Sequence, residues 1–188
     1  MKKLIITIMV LATASWTSAQ ETAHRYEIKS GIAHSETRLN EHVTPAVQYF
    51  DNYGDCEVMI QTIDMGGLGS FDNTTITKKE KAWFVNSSGA KEFQNPIADL
   101  TFINPSQAVI DKYKLVDTGE EEEVLGRLCR KFTYETTQGR KTIYNTAWVY
   151  KGITMKSVMK QGRRESYFEM KDFQENVTVP TEIFEIKE

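Results

Sequence analysis

The chain has 188 residues, a formal net charge of −3 and only two cysteines. No long basic stretch follows the first three residues, which disfavours a nucleic-acid partner and electrostatic docking to an anionic membrane. Two cysteines are too few for a disulfide scaffold and do not by themselves form a zinc site.

The N-terminus has the three parts of a secretory signal peptide. Lys2 and Lys3 precede an apolar run over 4–12, and small residues follow up to Ala19. The run is shorter than the ~20 residues that span a bilayer, although a retained membrane anchor is the alternative. We expect cleavage after 1–19, with loss of two positive charges taking the net charge from −3 to −5. The mature protein then starts near Gln20 as a single extracytoplasmic domain, and the two-lysine start is consistent with a bacterial secreted protein.

Most of the mature sequence predicts antiparallel strands. Runs rich in β-branched and aromatic residues alternate with short polar or glycine-containing turns, which is typical of antiparallel sheet. The predicted strands cover 24–33, 47–53, 57–65, 74–77, 82–85, 114–118, 128–136, 142–150, 153–159 and 165–173. The acidic run 120–123 predicts a solvated turn or a sheet edge.

Two Asn-Pro pairs interrupt the strand pattern. Asn95 and Asn104 each precede a proline, and an Asn cap before a Pro is typical of a helix start. Gln107 then stands at the third position of the second helix, as in a capping box. The sequence predicts two short helices, at about 96–103 and 105–113.

Large residues occupy both faces of several predicted strands. In 142–150, for example, Trp148 falls on one face and Val149 on the other. Sheets with one wet face alternate more cleanly, so we expect cover on both sides, with one face lining a cavity or meeting a partner. Trp83, Trp148, Met59 and Met155 are the candidates for lining an apolar ligand cavity. An ordinary hydrophobic core is the alternative for these four residues.

Two further features leave alternatives open. Met65 and Leu68 belong to a glycine-rich stretch that is either a mobile apolar flap or a plain hairpin connection. Cys56 and Cys129 either form a disulfide, as an oxidising compartment permits, or remain two buried thiols.

The usual signatures of catalysis are missing from the sequence. There is no G-x-S-x-G elbow, no phosphate-binding loop and no H-E-x-x-H zinc motif. His34 and Glu36 are spaced to share a strand face and could hold a metal loosely, but exposed residues on a polar segment are the stronger interpretation. We therefore predict no catalytic residue, no metal and no cofactor, and a protein that is not an enzyme.

The C-terminal third carries a recognisable pattern. Trp148 and Val149 lie in one strand, and a final segment contains Val179, Pro180 and Phe184 in the order V-P-x-x-x-F. This pattern resembles the end of the lipoprotein-localisation-factor (LolA/LolB-like) superfamily. Over its whole mature length the chain resembles an uncharacterised secreted family of that superfamily, through the segments 26–31, 49–54, 124–126 and 148–153.

The resemblance implies an α+β, mainly antiparallel β fold: a curved half-open β-barrel with short helices packed on the concave side. In the carriers of that superfamily the cavity holds lipoprotein acyl chains. The resemblance therefore implies a periplasmic, non-enzymatic carrier for a lipid, an acyl chain or a lipoprotein. The carriers' functional arginine does not align to a position in this chain, so no ligand residue is carried over. The alternative function is a cell-envelope protein–protein interaction module without a lipid ligand.

Overall fold

The computed structural model describes residues 24–86 and 89–186, so the predicted signal peptide and its cleavage site lie outside the described residues. The described chain forms one open antiparallel sheet of eleven strands. The strands are β1 (Gly31–Leu39), β2 (His42–Asp51), β3 (Cys56–Asp64), β4 (Ser70–Lys78), β5 (Lys81–Asn86), β6 (Gly89–Gln94), β7 (Val116–Val124), β8 (Arg127–Gln138), β9 (Lys141–Tyr150), β10 (Ile153–Gln161) and β11 (Arg164–Glu175). Helix α1 spans Gln107–Tyr113, and 3₁₀ turns span Asn52–Gly54, Gly66–Leu68 and Thr181–Phe184.

The strand order explains why one connection must cross the sheet. The order is β6-β5-β4-β3-β2-β1-β11-β10-β9-β8-β7, so two runs of hairpins meet where β1 pairs with β11. The chain leaves the sheet at one edge after β6 and re-enters it at the other edge with β7. The connection 95–115, which contains α1, therefore spans the sheet from edge to edge.

The sheet is curved, and one side chain identifies the concave face. Arg25 Nη1 donates to Oε2 of Glu57 on β3 at 3.1 Å, and its charge also interacts with Tyr134 on β8. Five strands separate β3 from β8, so only a face that curls inward brings both residues to one guanidinium. The concave face therefore carries Glu57 and Tyr134, and the half-open barrel expected from the sequence is confirmed.

Part of the concave face is covered by two segments: residues 24–30, which precede β1, and the connection 95–115, which follows β6. The Tyr26 ring packs edge-on against Phe50 at 5.1 Å, and Phe50 is fully buried. Across the sheet, α1 and the turn before it bury Val109 and Leu100 against Phe132. Each large apolar side chain removed from water in this way contributes about 1.5–3 kcal/mol.

The convex face is covered in part by the C-terminal segment. Val179 and Phe184 pack against Val58 on β3 and Ile76 on β4, and all four side chains are buried. The prediction that the sheet is covered on both sides is therefore confirmed.

The predicted helix over 96–103 is wrong, because these residues form a series of turns. The Asn95 side chain accepts the Ile97 amide at 3.2 Å, which completes an isolated turn. Thr101 Oγ1 then accepts the Ile103 amide at 3.1 Å, two residues on, and this local bond competes with a helical ladder.

The second helix is present but starts later than predicted. Its N-cap is Ser106, whose Oγ accepts the Val109 amide at 3.4 Å, so Gln107 is the first helical residue and not the third. Asn104 has φ of +43° and cannot take the extended conformation of an N-cap.

The predicted first strand is also wrong, because β1 begins at Gly31 and residues 24–30 are irregular. The Tyr26 amide donates to the Tyr53 carbonyl and the Glu27 amide to the Lys151 carbonyl. These two partners lie in different turns, so the segment bridges them and does not join a ladder. The acidic run 120–123 lies in the edge strand β7, and the predicted sheet edge is confirmed.

The two cysteines do not meet in this fold. Cys56 lies on β3 and Cys129 on β8, with five strands between them, and both are free thiols. The predicted disulfide is therefore not formed, and Cys129 is fully buried as an apolar core residue. Burial raises the pKa of both thiols.

Candidate functional site: the concave face

The concave face has a closed end and an open end. At the closed end, residues 24–30 and 95–115 together form a plug over the sheet, beside the turns that follow β2 and β9. At the open end lie the turns that follow β1, β3, β8 and β10. The alternation of turns between two ends follows from antiparallel hairpins, so the plug covers only one half of the face.

Two glycines allow the plug to sit close to the sheet. A Cβ at Gly152, where φ is +84°, would lie 2.6 Å from the Arg25 carbonyl and 2.7 Å from Ile103 Cδ1. A Cβ at Gly54, where φ is +88°, would lie 2.6 Å from the Tyr26 ring. Any other residue would push the plug away, since both positions also favour glycine in backbone conformation.

A polar cluster marks the boundary between the plug and the open half. Glu57 accepts from Arg25, from the Tyr26 hydroxyl at 2.9 Å and from Gln48 Nε2 at 2.9 Å. Burial raises the pKa of the Tyr26 phenol and raises the pKa of Tyr134 to about 12. Both phenols therefore stay neutral at physiological pH, and the carboxylate of Glu57 accepts from three neighbours.

On one side of the open half, the pairing of β8, β9, β10, β11 and β1 shows which residues share the concave face between the polar cluster and the rim. Directly opposed residues in an antiparallel pair share a face. Tyr134 is opposite Asn145, Asn145 is opposite Met159, Met159 is opposite Ser166, and Ser166 is opposite Leu39. Met159 and Leu39 therefore lie on the concave face, beyond the reach of the plug.

On the other side, alternation along β3 places further apolar residues on the same face. Met59 and Ile63 follow Glu57 at even spacing along the strand, and Phe71 is opposite Ile63. We call the large apolar residues of this face that the plug does not cover the open apolar surface; they are Leu39, Met59, Ile63, Phe71, Phe84, Phe93, Ile143, Met159 and Phe168.

The open apolar surface is accessible to water although it lies inside the curve of the sheet. Leu39, Phe71, Phe93 and Met159 are each between 39% and 47% exposed, whereas Phe50 under the plug is 0% exposed. Large apolar side chains that gather on one face and stay exposed can mark sites for ligands or partners. This surface is the candidate functional site.

The structure does not bring together the four residues predicted to line the cavity. Met59 lies on the open apolar surface, and Met155 is fully buried in the core. Trp83 is opposite Ile76, which packs under the C-terminal segment on the convex face. Trp148 is also convex, with Lys156 Nζ 4.4 Å from its ring centroid.

The predicted flap lies at the rim of the candidate site. Met65 is 51% exposed, and Leu68 belongs to the 3₁₀ turn that joins β3 to β4 at the open end. A mobile cover over the open apolar surface remains a prediction for this turn.

Sequence reasoning missed most of the open apolar surface, although a signal for part of it was present. Phe71 stands alone among the polar neighbours Ser70, Asp72 and Asn73. A lone aromatic residue in a polar strand could have indicated a face without a covering layer. The alternation of side chains along a strand does not show which face is concave, however, so it could not show that Trp83 and Trp148 lie on the convex face.

The described residues contain no group of three or more His, Cys, Asp or Glu that could hold a metal ion.

No helix within the described residues is long and apolar enough to cross a membrane.

Comparison with known proteins supports the fold and leaves the family open. No family model matches the chain, and no curated protein matches it. An uncharacterised conserved protein from Thermus thermophilus is similar in structure, with a TM-score of 0.54, 12% identity and coverage of 86% of this chain and 87% of that one.

The structure is also similar to that of the Pseudomonas aeruginosa MucA/MucB complex, with a TM-score of 0.53 and 11% identity. The match covers 84% of this chain and 56% of the other, so the chain spans just over half of that relative. A proposed outer membrane lipoprotein-sorting protein domain from Vibrio parahaemolyticus matches with a TM-score of 0.43 and 11% identity, over 85% of this chain and 91% of that one. At 11–12% identity, the two matches with a TM-score above 0.5 support the fold alone.

Proposed function

We propose that this protein is a non-enzymatic binding or carrier protein for an apolar ligand, such as a lipid, an acyl chain or the acyl part of a lipoprotein. The observation that carries the proposal is the open apolar surface, with four large side chains 39–47% exposed inside the curve of the sheet. Burying acyl carbons there is worth ~0.8 kcal/mol per methylene, so a chain of ordinary length gains useful affinity without any polar contact.

The polar groups of the concave face support a binding role over catalysis. The carboxylate at the boundary, Glu57, accepts from three neighbouring side chains, which is a structural role. Between the apolar side chains of the open half, the registers place uncharged polar side chains such as Gln61, Asn73 and Ser166, and none of these is a usual general base.

Titration of a fluorescent fatty acid against the purified mature protein tests the proposal. Phe71→Ser removes a side chain of the open apolar surface and is expected to weaken binding about fivefold. Tyr167→Ser is the matched control, because Tyr167 is equally exposed at 47% but is opposite Arg38 and Val158 on the convex face. No binding by the parent, or equal loss in both variants, contradicts the proposal.

A protein–protein interaction module is the second candidate. It is favoured by the structural match to MucB, which was solved in complex with MucA. In this alternative the open apolar surface docks an envelope protein and holds no lipid. Mass spectrometry of organic extracts from the purified protein separates the two: acyl compounds at stoichiometric amounts favour the carrier, and their absence with no fatty-acid binding favours the module.

We also propose that the protein acts outside the cytoplasm of a Gram-negative bacterium, in the periplasm. The support is the signal pattern of 1–19 together with the envelope resemblance. N-terminal sequencing of the exported protein is expected to start near Gln20, and a start at Met1 contradicts the cleavage.

A further inference from the structure

Four cations gather at the rim of the open end, from two separate turns. They are Arg140 and Lys141 after β8, and Arg163 and Arg164 after β10. Gln161 Nε2 donates to Gln138 Oε1 at 3.3 Å across β9, which holds the two turns side by side. The groove between them has a volume of about 640 Å³ and is lined by Lys141, Arg163 and Arg164, together with Tyr144.

These four cations have no acidic partner among the described residues. Most other cations of the sheet do: Lys160, next to the groove, lies 3.0 Å from Glu165, and Lys156 lies 2.7 Å from Glu122. The rim cations are exposed and remain free to bind an anion, in a protein whose total charge is negative.

Acidic residues are absent from the concave side around this groove. Along the described strands of the open half, the registers place every Asp and Glu on the convex side. Glu36 and Glu169 face each other there, and Glu165 is opposite Lys160. The charges of the concave side in this half are the cations Lys91, Lys141 and Arg164. On the strands of the open half, the charged residues of the concave side are therefore all cationic.

The groove and the open apolar surface are continuous along β10. Gln161 at the groove and Met159 on the apolar surface are two residues apart and share the concave side. Arg164 is directly opposite Gln161. Tyr144 is opposite Lys160 on the convex side, so the groove lies across the rim, and an acyl chain that leaves it on the concave side meets Met159 first.

We propose that the rim cations bind the anionic head group of a single-chain amphiphile whose acyl chain lies on the open apolar surface. The inference rests on the proposed function and adds the ligand class: an acyl chain ending in a phosphate or carboxylate. Guanidinium groups bind phosphate and carboxylate through paired, charge-assisted hydrogen bonds, which gives the head group both affinity and orientation. The apolar side chains face the inside of the curve, which suits one enclosed chain better than the plane of a membrane.

A matched pair of ligands tests the head group directly. Palmitoyl lysophosphatidic acid and monopalmitoylglycerol share the chain and the glycerol and differ in the phosphate. Both are titrated, as monomers, against the mature parent protein by calorimetry. The lysophosphatidic acid is expected to bind about tenfold tighter or more, and its binding alone is expected to weaken with added salt.

A matched pair of variants locates the effect. The rim variant replaces Arg140, Lys141, Arg163 and Arg164 by Gln, and the control variant replaces Lys29, Arg38, Lys78 and Lys79 by Gln, which lowers the charge equally at other places. Loss of the preference for lysophosphatidic acid in the rim variant, with retention in the control, supports the proposal. Circular dichroism and monopalmitoylglycerol binding verify that both variants are folded.

The other outcomes overturn the inference and separate it from the function. Equal binding of the two ligands by the parent, or a preference that survives in the rim variant, removes the head-group site and leaves the carrier function standing. Displacement of lysophosphatidic acid by equimolar glycerol 3-phosphate indicates a site for a free anion and overturns the amphiphile. Binding to phosphatidylglycerol vesicles without binding of the monomer indicates membrane docking. Failure of both ligands to bind contradicts the proposed function as well.

Discussion

The two halves of the concave face are built from similar side chains but have opposite surroundings. Under the plug, Phe50 and Phe132 are buried against Tyr26 and the segment around α1. In the open half, Phe71 and Met159 occupy equivalent positions on the same sheet and remain exposed. The difference lies in the connection 95–115 and in residues 24–30, which reach only the closed end. The plugged half therefore provides much of the core, and the open half presents exposed apolar side chains.

The largest expected difference between the halves is in stability. Phe50→Ala removes a fully buried ring and is expected to lower the free energy of unfolding by about 3–5 kcal/mol. Phe71→Ala, in the open half, is expected to change it by less than about 0.5 kcal/mol. Urea denaturation of both variants measures the difference, and comparable losses would show that the open half is covered in solution.

The boundary cluster is expected to give the next largest effect. Glu57→Ala leaves Arg25, Tyr26 and Gln48 without their shared acceptor and is expected to destabilise the protein by about 2–3 kcal/mol. Hydrogen exchange is expected to rise first in 24–30, because these residues are attached to the sheet through this acceptor. Uniform exchange across all strands would indicate that the cluster does not hold the plug.

The pH dependence of the stability tests the same boundary between the plug and the open half. Burial raises the pKa of Tyr134 to about 12, against about 10 in an unfolded chain. The unfolded chain therefore loses this proton first, so the stabilisation is complete below about pH 10 and is lost as the pH rises through about 12. Tyr134→Phe is expected to lose less stability than the parent between pH 9 and about pH 11 in urea denaturation. Equal losses in parent and variant would place the phenol in water.

The smallest expected effect on folding concerns the rim of the open apolar surface. Met159→Gln is expected to leave the free energy of unfolding within about 0.5 kcal/mol of the parent, because the side chain is 39% exposed. The same change is expected to reduce the fluorescence of a bound hydrophobic dye. Val43→Gln, at 44% exposure on the convex side opposite Arg38, is the control and should leave the dye signal unchanged.

Much of the strand content could be predicted from the sequence, and the errors have local causes. Alternation and turn chemistry located most hairpins, since these depend on neighbours in the chain. The strand predicted over 24–30 was wrong because this segment bridges two distant turns. The burial of Tyr26 and Ile28 there gives the sequence the same alternation as a strand. The helix predicted over 96–103 was wrong because the Asn95 and Thr101 side chains accept hydrogen bonds from nearby backbone amides, in place of the hydrogen bonds of a helix.

The sequence by itself determined the antiparallel β class, the acidic sheet edge and the excess of large residues on both strand faces, because each follows from local pattern. Only the tertiary structure decided which face curls inward, where the plug stops and which apolar residues stay uncovered. It also gathered Arg140, Lys141, Arg163 and Arg164, which the sequence shows as two short, unrelated pairs, into one rim. These properties depend on strands that are distant in the chain and adjacent in the sheet. The order of the strands, and the curvature that brings β3 towards β8, therefore create the site.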